Sequence, residues 1–182
     1  MNRRSFCKNS ILTLAGISLP LPALARYSGV YEPVRELSFY NIHTHEEAQR
    51  VIYWSQGVYL SDGLAEIDHL LRDHRSNELT EIDHNLLDTL FLLSRKLECQ
   101  EPLHIISGYR SPSTNAQLRK SSNGVAKRSL HMEGRAVDIR MPGCNLRHLQ
   151  QTALDLRRGG VGFYPESDFV HLDTGRFRAW HG

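Results

Sequence analysis

Apolar and polar residues follow two different periods along this chain, and each period predicts one kind of element. Alternation at every second position over residues 37–44 and 49–54 predicts two strands joined as a β-hairpin, because successive side chains of a strand point to opposite faces. Apolar residues three and four positions apart predict helices that begin near residue 61 and span residues 83–97. Both helices have one apolar face, which favours a structural role in a packed core.

The second half of the chain mixes short apolar runs with helical spacing. The predicted elements, in chain order, are a strand over residues 103–107, a helix over 111–118, a loop over 120–130, a strand over 136–140, a helix over 145–158 and a closing hairpin of strands over 161–164 and 169–173. Helices and hairpins in mixed order, rather than repeating βαβ units, indicate an α+β fold.

The first 25 residues have the pattern of an export signal. A basic start is followed by an apolar run and by Ala-Leu-Ala, which fits a cleavage site after Ala25. The adjacent Arg3 and Arg4 favour the twin-arginine route, with the Sec route as the alternative. The apolar run is too short and too interrupted by prolines to span a membrane. We therefore expect a signal peptide over residues 1–25, a linker over 26–36 and a folded domain over 37–182.

The amino-acid composition and the net charge indicate which classes of binding partner to expect. The 182 residues are 40% hydrophobic and 23% charged, an ordinary balance for one globular domain. Removal of residues 1–25 takes away three basic residues and no acidic ones, which changes the formal charge from +2 to −1. No basic excess then remains to favour a nucleic-acid partner. Cys7 would leave with the signal, while Cys99 and Cys144 could pair in an oxidising compartment, although their spacing alone does not establish a disulfide.

Three polar residues stand out in the second half, His131, Asp138 and His171. Alternation turns Asp138 away from its apolar neighbours on the strand, and a buried carboxylate costs several kcal/mol unless it is paired or binds a metal. His171 and Asp173 also share one strand face. Two imidazoles and one carboxylate supply three zinc ligands and leave the fourth position open to water, as in catalytic sites. The alternative is that these residues make only hydrogen bonds in the core.

The other histidines have no such companions among the ten in the chain. His43 and His45 lie two positions apart on one strand face and could hold a metal, but they stand at a predicted hairpin tip without a third ligand, which favours an ordinary surface role. We expect structural roles for the histidines of the helical segments, which are His69, His74, His84 and His148.

Four motifs resemble those of the M15 zinc peptidases, and within that family the murein endopeptidase K branch is the most similar. The motifs are Ser-Gly-Tyr-Arg-Ser at 107–111, Ser-x-His-x-x-Gly-x-Ala-x-Asp at 129–138, Gly-Gly-Val-Gly-x-Tyr-Pro at 159–165 and Phe-Val-His-x-Asp-Thr-Gly at 169–175. The resemblance implies the fold of D-alanyl-D-alanine peptidases and the hedgehog signalling domain, a single domain with a mostly antiparallel sheet packed against helices. It implies that residues 37–182 are a zinc peptidase domain in which His131, Asp138 and His171 bind Zn²⁺.

The same resemblance implies the substrate. Family members act on peptidoglycan stem peptides and their cross-links during remodelling of the wall, which places the protein in the periplasm. Arg110 matches a family arginine that faces the substrate carbonyl or carboxylate, a task that suits a guanidinium fork, and an ordinary ion pair is the alternative. Ser107 and Tyr109 of the same motif are expected beside the substrate.

The resemblance leaves the general base open. Many relatives carry an acid three residues before the last histidine ligand, where this chain has Asp168, while the acid two residues after that ligand is Asp173. One of the two is expected to accept the proton. Phe169 stands where some relatives have a histidine, so no role of that histidine carries over. A D-alanyl-D-alanine carboxypeptidase and a non-catalytic, zinc-containing wall-binding module are the alternative functions.

Overall fold

The structure is a computed structural model that describes residues 34–98, 100–121 and 124–182. The predicted signal peptide over residues 1–25 and most of the predicted linker lie outside the described residues. Cys99 lies outside them as well, so its pairing with Cys144 stays a prediction. Within the described ranges, no helix combines the length and the apolar character that crossing a membrane requires.

An eight-stranded sheet with the order β3-β2-β1-β4-β5-β7-β6-β8 organises the fold. The strands are β1 (Val34–Asn41), β2 (Glu47–Ser55), β3 (Val58–Tyr59), β4 (Leu103–Ser107), β5 (Ala136–Arg140), β6 (Gly160–Tyr164), β7 (Phe169–Asp173) and β8 (Arg178–His181). The helices are α1 (Ser61–Leu70), α2 (His84–Leu97), α3 (Pro112–Ser121) and α4 (Leu146–Leu156). Only the pairs β1·β4 and β6·β8 are parallel, so the sheet is mostly antiparallel and the predicted α+β fold is confirmed.

The helix α2 shows how the sequence produces the packed side of the sheet. Asp83 precedes the helix, and its carboxylate accepts a hydrogen bond from the Asn85 amide at 2.9 Å, which satisfies an amide that the first turn leaves unpaired. Its inward face consists of buried leucines at helical spacing, Leu86, Leu87, Leu90 and Leu93. Each buried leucine contributes about 1.5–3 kcal/mol, and this face holds α2 against β1 and α4.

The sheet extends beyond the predicted strands at both ends of the described chain. Val34 and Arg35 pair with Ser55 and Trp54 of β2, so the hairpin begins three residues before the predicted strand. The apolar pattern predicts no strand after residue 173, yet β8 pairs in parallel with β6. A four-residue strand with alternating exposure at the sheet edge carries too little apolar character to be detected from sequence.

Alternation along the last strands separates two faces of the sheet. Val137 and Ile139 of β5 are fully buried in the apolar core, whereas Asp138 points to the other face, as the sequence predicts. The register places Asp138 beside His171 of β7, His171 beside Gly162 of β6, and Gly162 beside Trp180 of β8. One row of side chains across four strands therefore carries two of the predicted metal ligands.

Candidate metal centre and its groove

Three ligand atoms converge on the polar face of the sheet. His171 Nδ1 lies 2.8 Å from Asp138 Oδ1 and 3.2 Å from His131 Nε2, and His131 Nε2 lies 3.4 Å from Asp138 Oδ1. In the described part of the chain, these residues are the only group of three or more histidine, cysteine or acidic side chains that could hold a metal ion.

The three separations fit a metal ion of the size of zinc. Zn–N and Zn–O bonds of about 2.0–2.1 Å in a tetrahedral arrangement keep neighbouring ligand atoms about 3.3 Å apart. The observed distances of 2.8, 3.2 and 3.4 Å bracket that value. The donor set, two nitrogens and one oxygen, is also one that zinc accepts in catalytic sites.

His131 is held in place by backbone atoms. It lies in a short 3₁₀ helix (Leu130–Glu133) that ends at Gly134, whose φ of 65° is in the left-handed region that favours glycine. The imidazole is fully buried, and its Nδ1 donates a hydrogen bond to the Gly108 carbonyl oxygen at 2.7 Å. Because Nδ1 carries the proton in this arrangement, the lone pair of Nε2 faces the centre.

His171 is held from the opposite side by a carboxylate. Its Nε2 lies 3.1 Å from Asp173 Oδ2, and a proton on Nε2 donates this hydrogen bond. The other ring nitrogen, Nδ1, then faces Asp138 and His131. The two imidazoles thus use opposite ring nitrogens, and each has its outer nitrogen engaged by a hydrogen-bond acceptor, which is the usual support of metal-binding histidines.

Burial and hydrogen bonds shift the pKa values of all three candidate ligands. Burial opposes ionisation of Asp138, but the charges and hydrogen bonds of His131 and His171 outweigh it and hold the pKa of Asp138 well below its usual range. Burial also lowers the pKa of His131. For His171 burial acts in the same direction, yet its hydrogen bonds to Asp138 and Asp173 prevail and raise the pKa to about 9. An imidazole binds a metal in its neutral form, so a cation that binds here competes with a proton on His171.

A groove of about 540 Å³ opens beside Asp138 and His171. We call its lining residues Arg110 and Arg128 the basic wall. We call its lining residues Tyr164, Phe169 and Trp180 the aromatic wall. The indole Nε1 of Trp180 donates a hydrogen bond to the Tyr164 hydroxyl at 2.9 Å, and the Tyr164 and Phe169 rings stack at 4.5 Å, so the aromatic wall is internally braced.

Arg110 has the features of a guanidinium that awaits an anionic partner. Its Nη2 donates a long hydrogen bond of 3.4 Å to Ser129 Oγ, and its buried Nε has no hydrogen-bond partner in the described part of the chain. Burial lowers its pKa, although Asp138 opposes this shift. A buried, unsatisfied donor is costly, and a carboxylate or carbonyl oxygen in the groove would satisfy it.

The other residues expected beside the substrate lie elsewhere. Neither Ser107 nor Tyr109 lines this groove, and the Tyr109 side chain is buried in the apolar core. Tyr109 and Arg110 follow the end of β4 and lie in different surroundings, Tyr109 in the core and Arg110 at the groove. The segment itself is used through its backbone, since the Arg110 amide donates to the His131 carbonyl at 3.1 Å.

The two candidate bases differ in their surroundings. Asp168 is exposed, does not line the groove, and accepts a hydrogen bond from Arg140 Nη1 on Oδ2 at 3.1 Å. Arg140 follows Asp138 by two positions on β5, so this ion pair lies on the same face of the sheet as the metal centre. Asp173 lines the groove but is buried, and burial is outweighed by hydrogen bonds from His171 and Arg178 that hold its pKa well below its usual range.

Sequence reasoning missed Arg128, Arg178 and Trp180 as groove residues. Trp180 lies across Gly162, where a Cβ would approach the indole ring to 2.6 Å. A glycine in the middle of a predicted strand was the available signal, because it marks a close approach by another group.

Comparison with known proteins identifies the family. The sequence model of a family described as peptidoglycan L,D-endopeptidase MepK matches residues 30–180. The chain belongs to this family. It is 41% identical to peptidoglycan L,D-endopeptidase MepK of Escherichia coli (strain K12) over 179 residues, which cover 98% of this chain and 97% of the relative. It is 38% identical to the probable peptidoglycan L,D-endopeptidase MepK of Haemophilus influenzae over 179 residues, or 96% of each chain. Membership of the MepK family confirms the M15 resemblance.

Proposed function

We propose that this protein is a peptidoglycan L,D-endopeptidase, the activity in the names of both relatives, and that its activity depends on zinc. The observation that carries the proposal is the convergence of His131 Nε2, Asp138 Oδ1 and His171 Nδ1 beside an open groove. When bound by these three atoms, zinc lowers the pKa of a coordinated water and polarises a scissile carbonyl.

The groove suits the chemistry of stem peptides and their cross-links. These peptides carry carboxylates, and Arg110 and Arg128 present two guanidinium groups on one wall. Arg110 is the group that binds and orients the substrate carboxylate or carbonyl, because its buried Nε has no hydrogen-bond partner among the described residues. An open groove would favour cleavage of cross-links, and a pocket closed around one chain end would favour removal of a terminal D-alanine.

Asp168 is the better candidate for the proton acceptor. Only its Oδ2 is engaged, by Arg140, on an exposed side chain that can turn. Both oxygens of Asp173 are occupied by hydrogen bonds from the protein. We assign the transfer of a proton from the attacking water to the leaving amine to Asp168.

Export to the periplasm completes the proposal, and the amino-terminal sequence supports it. Residues 1–25 have the composition of a cleavable signal, with Arg3 and Arg4 in a twin-arginine pattern. A folded protein exported by that route could take up its metal before it leaves the cytoplasm.

Digestion of murein sacculi tests the function. The purified protein is incubated with sacculi alone, with a chelator, and with a chelator followed by zinc, and the soluble muropeptides are separated by chromatography. We expect loss of cross-linked muropeptides, its abolition by the chelator and its recovery with zinc. Release of free D-alanine alone would support a carboxypeptidase, and unchanged sacculi with bound protein would support a wall-binding module.

A further inference from the structure

We propose that Arg178, from the carboxyl-terminal strand β8, is a positioning residue for the metal centre. It fixes the Asp173 carboxylate as a pure hydrogen-bond acceptor, and Asp173 in turn presents the Nδ1 lone pair of His171 to the metal. This inference rests on the proposed function, because it assigns a task toward the zinc ion. With this task, Asp173 is no longer a candidate for the general base.

Asp173 has no oxygen left for a proton-transfer role. Its Oδ1 accepts hydrogen bonds from the Gly160 amide at 3.0 Å, the Gly175 amide at 2.8 Å and Arg178 Nη1 at 3.0 Å. Its Oδ2 accepts from Arg178 Nη2 at 2.6 Å and from His171 Nε2 at 3.1 Å. The side chain is fully buried, so five donors surround one carboxylate and water has no access to it.

The Arg178 fork reaches Asp173 because glycines leave a path across the sheet. Gly160 of β6 is the register partner of Arg178, and a Cβ there would lie 2.8 Å from the guanidinium carbon. A Cβ on Gly175 would lie 2.9 Å from Asp173 Oδ1. The two glycines therefore supply both the space for the ion pair and two of its backbone donors.

The ion pair also lies beside an aromatic ring of the groove. The Arg178 guanidinium lies 4.8 Å from the centre of the Trp180 ring, and the Trp180 ring lies 5.1 Å from that of His171. Arginine binds carboxylates with two parallel N–H groups, a geometry that lysine cannot reproduce. The arrangement thus holds the carboxylate in one orientation, with Oδ2 directed at His171.

The orientation of Asp173 decides which nitrogen of His171 is available. Because the Asp173 carboxylate accepts a hydrogen bond from Nε2, the ring proton is on Nε2. The lone pair of Nδ1 is then free to bind the metal. An asparagine at position 173 cannot serve all five donors, since its amide nitrogen would face either His171 or the glycine amides. Asp173→Asn is therefore expected to lose metal, whereas a general base replaced in the same way would keep its metal and lose turnover.

Zinc affinity tests the proposal through Arg178→Lys, which keeps the charge and removes the fork. We expect its affinity, measured by competition with a chromogenic chelator, to fall about 10–100-fold, as for other outer-shell changes. Cleavage of sacculi should fall at limiting zinc and recover at high zinc. The visible absorption of the cobalt(II)-loaded variant should shift, because the ligand field of His171 changes.

The matched control is Arg72→Lys. Arg72 forms an equivalent fork with Glu46, at 2.7 and 3.0 Å, on a largely buried side chain that does not line the groove. The zinc affinity and the cobalt(II) spectrum of the Arg72→Lys variant should equal those of the unchanged protein. If Arg178→Lys behaves like this control, the positioning role is wrong, even where the unchanged protein digests sacculi.

A second measurement needs no variant. In the zinc-loaded protein, ¹⁵N NMR of the histidine rings should show His171 bound through Nδ1 with a proton on Nε2. Coordination through Nε2 would overturn the positioning role while leaving the proposed peptidase function intact. Unchanged sacculi with a normal zinc complex would overturn the function alone.

Discussion

Two pairs of histidines approach each other in the described part of the chain, and only one of them builds a candidate metal centre. His43 and His74 stack nearly flat, with ring centres 3.9 Å apart and 13° between the planes. His131 and His171 have ring centres 5.0 Å apart and planes tilted by 59°. Lone pairs of imidazole nitrogens lie in the ring plane, so stacked rings point them in parallel, whereas tilted rings can point them at one atom.

The surroundings of the two pairs also differ. Each pair uses a carbonyl near the end of β4, because His43 Nε2 lies 3.0 Å from the Ile106 oxygen and His131 Nδ1 lies 2.7 Å from that of Gly108. Only the second pair has Asp138 within hydrogen-bond distance as a third ligand. Ring orientation and a shared carboxylate, rather than the proximity of two histidines, therefore distinguish a metal centre from an ordinary contact.

Removal of one histidine from each pair tests this comparison most strongly. His131→Ala is expected to lower zinc affinity by more than about 100-fold, beyond the effect of outer-shell changes, and to reduce cleavage of sacculi to the level seen with a chelator. His43→Ala should keep both within about two-fold. Zinc titration and muropeptide analysis of the two variants measure these effects. Equal loss in both would show that the stacked pair also holds the metal.

Replacement of Asp168 tests whether this residue is the general base beside the pair of His131 and His171. Asp168→Asn should keep zinc affinity and lower turnover by about 10²–10⁴-fold, the usual contribution of a general base. Arg140→Gln is the informative companion, since it frees Asp168 without removing it. Muropeptide release per bound zinc gives the turnover. Full activity of Asp168→Asn at normal zinc content would exclude Asp168 as the base.

The basic wall of the groove is tested by Arg110→Lys. A lysine keeps the charge but loses the planar fork, and a hydrogen bond to a charged group contributes about 1.5–3 kcal/mol. We expect kcat/KM to fall about 10–100-fold at unchanged zinc affinity. An identical fall in Arg72→Lys, whose side chain does not line the groove, would mean that the effect is on folding.

We expect the stacked pair of His43 and His74 to affect the free energy of unfolding rather than metal binding. Burial, followed by the charge of His43, lowers the pKa of His74 to about 4 from 6.5. The folded protein then binds this proton less readily than the unfolded chain, so the free energy of unfolding falls as the pH drops from 6.5 toward 4. One group accounts for at most about 1.4 kcal/mol per pH unit. Urea unfolding of His74→Gln beside the unchanged protein, in chelator, should show a flatter pH dependence in the variant.

Much of the fold follows from local pattern, because burial on one side of an element imposes its own period. The hairpin of β1 and β2, the leucine face of α2 and the strand β5 with Asp138 turned outward all appear where alternation or helical spacing predicts them. β8 was missed, since its pairing with β6 is a long-range contact that leaves almost no local signal.

The amino-acid sequence by itself determined most of the elements, the α+β class, the family and the three candidate ligands, since each depends on residue identity and spacing. Only the tertiary structure decided which atoms meet. The register of β5, β7, β6 and β8 brings Asp138, His171 and Trp180 into one row, and it moves Tyr109 into the core. It also separates Asp168 from Asp173, because Arg178 crosses Gly160 and occupies both oxygens of one acid while the other stays exposed. Strand pairing joins residues distant in sequence, and the local pattern of one strand does not say which strands become its neighbours.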